Sequence, residues 1–209
     1  MLTEQQDSSR APSRETSPRL TIYTVGHGTR TLAELIEILQ GANITQLVDV
    51  RSIPRSFTNP QFNQDALSSS TELQAGGIKY QSFGEKLGGL RKKLPGADLH
   101  TALRVKSFRN YAAYMSTPTF GEGLDELKDV AERHASDGGK GTAIMCSETL
   151  WWRCHRRMIA DALVARGLET KHLGLKPQPV EHVLWEIAKL DDDGNLIYNV
   201  KEKEKSNHC

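Results

Sequence analysis

The sequence has few cysteines, no excess of charge of either sign and no long apolar run. Three cysteines among 209 residues are too few for a disulfide framework, and the polar N-terminus lacks the apolar core of a signal peptide. We therefore expect an intracellular protein, cytoplasmic or nuclear. The formal net charge is +1, so nucleic-acid binding would need a local basic patch. No apolar run approaches the about 20 residues of a membrane span, and we expect no membrane partner.

Common cofactor motifs are missing as well. The sequence contains no Walker motif, and Gly26-His-Gly28 is not followed by the third glycine of a dinucleotide-binding fingerprint. Structural zinc sites usually contain closely spaced cysteine pairs, and there is no C-x-x-C here. We therefore predict no cofactor. Zinc is the less favoured alternative, and its ligands would be Cys146, Cys154, His155 and His27.

What is present is an alternation of strand and helix patterns between residues 19 and 200. The predicted strands lie at about residues 20–25, 45–50, 78–80, 142–145 and 169–173. The predicted helices lie at about residues 32–39, 62–73, 108–115, 121–134 and 156–166. This alternation predicts a single α/β domain with a mostly parallel sheet of about five strands flanked by helices, in a Rossmann-like layering.

The two ends of the chain differ from this pattern. Residues 182–190 and 196–200 flank an Asp-Gly turn and predict a C-terminal hairpin. Residues 1–18 are polar with almost nothing apolar and are predicted to be a disordered tail, and residues 201–209 are predicted to be a charged, frayed tail.

The stretch richest in reactive groups joins the fourth predicted strand to the helix after it, and it contains Cys146, Glu148, Cys154, His155, Arg156 and Arg157. As a nucleophile, Cys146 would need its thiolate form, which Arg156 and the start of the helix would favour. The alternative is a small buried side chain, as most free cysteines are. A regulatory disulfide with Cys154 is a third interpretation that the spacing permits.

Glu148 is the candidate general acid or base, with His27 and Asp49 as its partners. Close carboxylates push each other's pKa values apart, which gives a site both an acid and a base at neutral pH. Asp49 could equally form an ion pair with Arg51 or Arg156 that braces the loops. For His27, which lies between two glycines, we favour a functional role over a loop histidine bonded to a carbonyl.

Guanidinium groups are concentrated at the predicted strand ends. Arginine binds phosphate or carboxylate bidentately, so the candidates for holding an anion are Arg51, Arg55 and Arg156. For Arg30 and Arg157 we favour a solvated rim paired with acids.

The loop containing Gly88 and Gly89 could add backbone amides to an anion site. In parallel sheets, ligands lie outside the carboxyl ends of the strands. We therefore expect the glycines, the arginines and the groups after the strands to converge on one rim.

These motifs, taken in order, resemble the DUF488 family of proteins of uncharacterised function. The matching segments are Thr24-Val-Gly-His-Gly-Thr-Arg30, Asp49-Val-Arg-Ser-Ile-Pro-Arg-Ser56, Leu87-Gly-Gly89, Cys146-Ser-Glu148 and Cys154-His-Arg156, with a looser match at Glu181-His182 and at Tyr198. The resemblance covers the whole predicted domain, but it implies no reaction. The Trp151-Trp152 pair departs from the family pattern and could narrow the pocket or offer a stacking surface.

On these grounds the substrate-binding candidates also include Cys154, His155 and His182, together with Tyr80 on the third predicted strand.

The candidate residues are compatible with two functions of different classes. The first is a hydrolase or transferase for a small anionic substrate, such as a nucleotide, a nucleobase-containing molecule or a sugar phosphate. Arginines would hold the anion, Glu148 or Cys146 would perform acid–base or nucleophilic chemistry, and His27 would assist.

The second function is a non-catalytic module that grips an anion or the phosphates of a nucleic acid. Arg91-Lys92-Lys93 and the tryptophan pair would contribute phosphate contacts and base stacking, and Cys146 and Cys154 would report the redox state. Because overall neutrality counts against the module, we favour the enzyme.

Overall fold

The computed structural model describes residues 20–199, so the two predicted tails lie outside the described residues. Residues 20–199 form eight β-strands: β1 (Thr21–Gly26), β2 (Ile44–Asp49), β3 (Lys79–Ser82), β4 (Gly141–Cys146), β5 (Glu169–His172), β6 (Val180–Glu181), β7 (Ala188–Leu190) and β8 (Leu196–Tyr198). The same residues form seven α-helices: α1 (Leu32–Gly41), α2 (Gln64–Ser68), α3 (Thr71–Ala75), α4 (Gly84–Leu87), α5 (Lys106–Met115), α6 (Pro118–Ser136) and α7 (Arg156–Ala165). Short 3-10 turns lie at Pro60–Phe62, Ala97–Leu99 and Trp151–Arg153.

The main sheet has six strands in the order β3-β2-β4-β1-β5-β6. β1 to β5 are all parallel to one another. β6 adds a short antiparallel edge strand to β5 through the pairs Lys171 with Glu181 and His172 with Val180. β7 and β8 form the separate antiparallel hairpin near the C-terminus. The predicted α/β class, the mostly parallel sheet and the hairpin are therefore confirmed, and β6 is an addition.

The order of the strands creates a crevice between β2 and β4. The chain leaves β2 towards β3, on the side away from β4, and it leaves β4 towards β5, on the side away from β2. The connections after these two neighbouring strands therefore run in opposite directions, which is where open α/β sheets bind their ligands. Asp49 pairs with Met145, so β2 and β4 end at nearly the same level.

Both faces of the sheet are covered, as a parallel sheet requires. One face packs under α1, α2 and α3, through Val25, Leu47 and Met145 against Leu35, Leu39, Leu67 and Leu73. The other face packs under α5, α6 and α7, through Ile22, Val48 and Ile144 against Tyr111, Leu127 and Ile159. Successive strand residues point to opposite faces, so the continuous apolar runs of these strands supply both layers.

The predicted helix over residues 62–73 is wrong, because two breaks divide that segment. Asn63 and Ser70 both have extended backbone, and the Ser70 side chain accepts a hydrogen bond from the Leu73 amide to begin α3. Serine and asparagine commonly start helices in this way. The arms of the hairpin are also shorter than predicted.

No helix between residues 20 and 199 combines the length and the apolar character needed to cross a membrane.

We expect Gly26→Ala to destabilise the protein, because a Cβ there would overlap the carbonyl oxygen of Glu148 and lie 2.8 Å from Nη2 of Arg156. Forcing a methyl group against backbone should lower the free energy of unfolding by about 1–3 kcal/mol. Gly41→Ala is the matched control, since a Cβ at this last residue of α1 meets nothing within 4 Å. Urea unfolding of the two variants measures the difference, and equal stabilities would contradict the close approach at Gly26.

Candidate active site

A cleft of about 300 Å³ opens at the carboxyl ends of β2 and β4. Residues 51–53, 89–90, 107–108, 146–148 and 153–155 line it. The structure therefore brings six of the predicted site residues to one cleft, namely Arg51, Gly89, Cys146, Glu148, Cys154 and His155. The first residues of α5 and the N-terminal end of α7 both border this cleft, so the positive ends of two helix dipoles face it.

Two thiols share one imidazole at the bottom of the cleft. Nδ1 of His155 lies 3.5 Å from Sγ of Cys154 and 3.7 Å from Sγ of Cys146. On the opposite side of the ring, Nε2 lies 3.0 Å from the carbonyl oxygen of Val50. Because a carbonyl only accepts, Nε2 carries the proton and Nδ1 of the neutral ring is left to accept from a thiol. We call Cys146, Cys154 and His155 the thiol–imidazole cluster.

Three local features position this cluster. Cys146 is the last residue of β4, and His155 is the residue that precedes α7. The His155 ring lies against Gly89, where a Cβ would be 2.6 Å from Nδ1, so only glycine leaves room for the ring. Tyr111 meets the ring edge-on at a centroid distance of 5.2 Å. The glycine that the sequence suggested as an anion cradle thus makes space for an imidazole.

The two thiols of the cluster differ in acidity. The hydrogen bond from the Cys146 thiol lowers the pKa of Cys154 well below its usual value, and His155 and Arg156 act in the same direction. The same hydrogen bond, together with burial, raises the pKa of Cys146 well above its usual value. These directions make Cys154 the more acidic thiol of the pair. Both side chains are buried, with 5% and 7% exposed.

Asp49 lies beside the cleft in a buried hydrogen-bond network with Arg51 and Tyr80, which we call the brace. Its carboxylate accepts from Nε of Arg51 at 2.9 and 3.0 Å, from Nη2 of Arg51 at 2.5 Å and from the Tyr80 hydroxyl at 2.8 Å. Arg51 also donates to the carbonyl oxygen of Phe62 at 2.6 Å. Burial and the Asp49 charge raise the pKa of Tyr80. These contacts match the bracing interpretation of Asp49, and they use Tyr80 to hold the carboxylate.

His27 belongs to the same brace. Its Nδ1 donates to the carbonyl oxygen of Gly28 at 2.9 Å, and its Nε2 accepts from Nη1 of Arg51 at 3.2 Å. The ring stacks on Phe62 at a centroid distance of 4.3 Å. Burial, and then the Arg51 charge, lower the pKa of His27 to about 4, so the ring is neutral. The bond to the Gly28 carbonyl is the one expected for a loop histidine, which was the alternative to a functional role, and the His27 ring does not line the cleft.

Arg156 points away from the cleft. Its side chain is 1% exposed, and it donates to Thr24 at 3.3 Å and to the carbonyl oxygens of Glu148 and Thr149. No carboxylate contacts it in the described part of the chain, and its Nε has no partner there. Arg55 is exposed, with its guanidinium over the Phe57 ring. The structure therefore does not bring these two predicted anion ligands to the cleft.

His182 belongs to a buried chain of hydrogen bonds that reaches Arg156. Nε2 of His182 bonds Asp161 at 2.9 Å, Nδ1 of His182 bonds His172 at 2.9 Å, and His172 bonds Thr24 at 2.7 Å. Thr24 accepts from Arg156, as described above. We call these five residues the Asp161–Arg156 relay. Tyr198, from the looser family match, also donates to Asp161 at 3.0 Å.

Glu148 lies at the mouth of the cleft. It is exposed, and within residues 20–199 its carboxylate has no hydrogen bond or ion pair. Gly88 does not offer its amide to a ligand, because that N–H donates to the carbonyl oxygen of Gly84 at 3.0 Å. Arg153 lines the cleft but was not among the predicted site residues, because it lies just before the Cys154-His-Arg156 motif and has no sequence signal of its own.

Three of the other basic and aromatic candidates have structural contacts. Arg91 lies 3.8 Å over the Tyr114 ring and donates to the carbonyl oxygens of Glu85 and Gly88. Lys93 pairs with Asp98 at 2.8 Å. Trp151 stacks on His172 at a centroid distance of 3.9 Å, so one face of its ring is covered, whereas Trp152 is exposed.

The predicted pairing of Arg30 and Arg157 with acids is wrong. Arg30 donates to the carbonyl oxygens of Gly26 and Gly174 at 2.8 and 2.6 Å. Arg157 is partly buried and lies 3.3 Å over the Trp185 ring. Arg30 therefore bridges the end of β1 to the loop after β5, and Arg157 packs α7 against the segment before β7.

We expect the free energy of unfolding to fall as the pH drops below about 6.5, because two buried histidines resist protonation. Burial, and then His182, lower the pKa of His172 to about 3, and the pKa of His27 is about 4. The folded protein keeps both rings neutral while the unfolded chain binds protons. Each histidine therefore removes up to about 1.4 kcal/mol of stability per pH unit below the unfolded pKa, until its folded pKa is reached.

Urea unfolding of the wild type and of His172→Gln between about pH 7 and pH 5 measures this dependence. The variant starts from a lower stability, but its stability should fall less steeply with pH because one titrating group is gone. Identical slopes in the two proteins would show that His172 is protonated as readily in the folded state as in the unfolded state.

A family model described as "Domain of unknown function DUF488" matches residues 31–163, well over half of the chain. The match includes the segments around Asp49, Leu87, Cys146 and Cys154, and it confirms the resemblance seen in the motifs. No curated protein and no solved structure matches the chain. The chain therefore belongs to the DUF488 family.

Proposed function

We propose that the protein is a thiol-dependent hydrolase or transferase for a small anionic substrate that binds in the cleft. The observation that carries this proposal is the pair of thiols on one oriented imidazole nitrogen, in the cleft between the ends of β2 and β4. A nucleophile within reach of a base, with the base fixed by a third group, is the general arrangement of nucleophilic catalysis. Here the Val50 carbonyl is the third group, because it fixes the tautomer of His155.

In this proposal Cys154 is the nucleophile. Its proton passes to Nδ1 of His155, and the thiol of Cys146 stabilises the resulting thiolate by donating a hydrogen bond. The thiolate attacks the electrophilic atom of the substrate, the bond to the leaving group breaks, and His155 returns the proton to the leaving group. Water, or a second acceptor molecule, then releases the group from Cys154, and Glu148 at the cleft mouth accepts its proton.

The anionic character of the substrate rests on the charges around the cleft. Arg153 lines it, and the positive ends of α5 and α7 face it. Arg51 also lines it, but the Asp49 carboxylate already compensates its charge. Glu148 is the one carboxylate among the lining residues. This balance favours a substrate that carries negative charge next to the reacting bond, such as a phosphate-containing molecule or a carboxylate.

The first test is turnover of a panel of chromogenic phosphate, sulfate and carboxylate esters, with a metal chelator in the buffer throughout. We expect Cys154→Ser to lower the turnover of any ester that reacts by at least about 100-fold, because the thiolate is lost. Glu148→Gln should slow release and leave the first turnover measurable as a burst. Cys209→Ser is the matched control, since it removes the remaining cysteine of the chain.

The second test separates the enzyme from a module that only binds anions. Iodoacetamide should modify Cys154 faster than Cys146 at neutral pH, and inorganic phosphate should slow that reaction by occupying the cleft. Arg153→Gln should weaken the phosphate protection without changing the rate in its absence. Full turnover in Cys154→Ser would refute the thiol mechanism, and phosphate protection without turnover of any ester would favour the binding module.

A further inference from the structure

We propose that the thiol–imidazole cluster is also a Zn²⁺ site, held by Sγ of Cys146, Sγ of Cys154 and Nδ1 of His155, with a fourth position for water on the cleft side. Zinc binding itself is independent of the function proposed above. Its consequence rests on that function, because a metal bound to both sulfur atoms occupies the nucleophile and stops the thiol chemistry.

The spacing of the three atoms is close to that of a zinc site. Zn–S bonds of about 2.3 Å and Zn–N bonds of about 2.0–2.1 Å, at tetrahedral angles, place a sulfur and a nitrogen about 3.6 Å apart. The observed distances from Nδ1 to the two sulfur atoms are 3.5 and 3.7 Å. All three ligand atoms lie within 4.8 Å of one another, so the sulfur atoms need at most a small approach to share an ion.

The imidazole is oriented as zinc ligands require. A metal-binding histidine usually donates its other ring N–H to a carboxylate or a backbone carbonyl, which fixes the tautomer. Nε2 of His155 makes this bond to the Val50 carbonyl at 3.0 Å, and Nδ1 is left facing the two thiols. Gly89 and Tyr111 confine the ring from two sides, so this orientation is already present before any metal binds.

The chain supplies three protein ligands, and the fourth coordination position is open to the cleft. Two thiolates neutralise the charge of Zn²⁺, which suits a buried site whose ligands are 5–8% exposed. All three residues line the cleft, so water can complete the tetrahedron. His27, the fourth ligand considered from the sequence, is excluded because both of its ring nitrogens are engaged by Gly28 and Arg51. The sequence lacked a C-x-x-C pair, and the end of β4 and the start of α7 bring the two cysteines together instead.

The test is a titration of the reduced, chelator-treated protein with Zn²⁺ in competition with a chromogenic chelator, and with Co²⁺ as a spectroscopic substitute. We expect one ion per chain, intense tetrahedral Co²⁺ bands and thiolate-to-cobalt charge transfer. Cys146→Ser, Cys154→Ser and His155→Gln should each weaken Zn²⁺ binding by more than about 100-fold, since loss of even an outer partner costs 10–100-fold. Cys209→Ser should bind as the wild type does.

A measurement on the wild type guards against variants that fail to fold. Zn²⁺ should protect Cys146 and Cys154 from alkylation while Cys209 in the same sample remains reactive, and it should raise the unfolding temperature. Unchanged alkylation of the pair, or octahedral Co²⁺ spectra, would overturn the site. Where an ester substrate is found, Zn²⁺ should inhibit and chelator should restore turnover. Turnover that needs Zn²⁺ would instead refute the thiolate nucleophile and leave the metal site standing.

Discussion

The buried charge of Arg156 is the constraint on which the rest of the site depends. An arginine with 1% exposure and no carboxylate contact is expensive, since a buried charge without compensation is destabilising by several kcal/mol. Its compensation comes from the oxygens of Thr24, Glu148 and Thr149, and from Thr24 the relay continues to the Asp161 carboxylate. Because both ends of the relay are fixed, one arrangement of protons satisfies every bond. Arg156 donates to Thr24, Thr24 to His172, His172 to His182, and His182 to Asp161.

This relay determines the shape of the cleft although none of its members lines it. Arg156 holds the carbonyl oxygens of Glu148 and Thr149, and the Glu148 carbonyl lies against Gly26, so the segment after β4 crosses the end of β1. Trp151 then stacks on His172, which anchors the far end of the same segment. Glu148 and Arg153 are thus presented to the cleft by a loop whose backbone is fixed from behind, and α7 begins where that loop ends.

The sequence predicts the chemistry of the strand ends better than it predicts which side chains share a cleft. Alternating strands and helices were enough to bring Cys146 and Arg51 to one edge. His155 and Arg156 are adjacent in sequence, yet they point to opposite sides, and that outcome depends on where α7 begins after the 3-10 turn at Trp151–Arg153. No local sequence pattern indicated a role for His172, and the only indication for Asp161 was that it is an acidic residue within an apolar helical stripe. Their partners are 10 to 148 positions away, a separation that no local pattern encodes.

The protonation state of the cluster links its two proposed activities. In the neutral cluster the Nε2 proton of His155 is committed to Val50, so the two thiol protons are the ones that can leave. Transfer of one of them to Nδ1 of His155 gives a single thiolate on Cys154, stabilised by the remaining Cys146 thiol, and that form is the nucleophile. The same hydrogen bond makes the second proton hard to remove, since burial and a neighbouring thiolate both oppose a second negative charge. Two thiolates at this point are compensated only by a dication bound to both sulfur atoms. The nucleophile is therefore the cluster with one thiolate, and the metal-binding form is the cluster with two, so the two proposals describe different protonation states of the same residues.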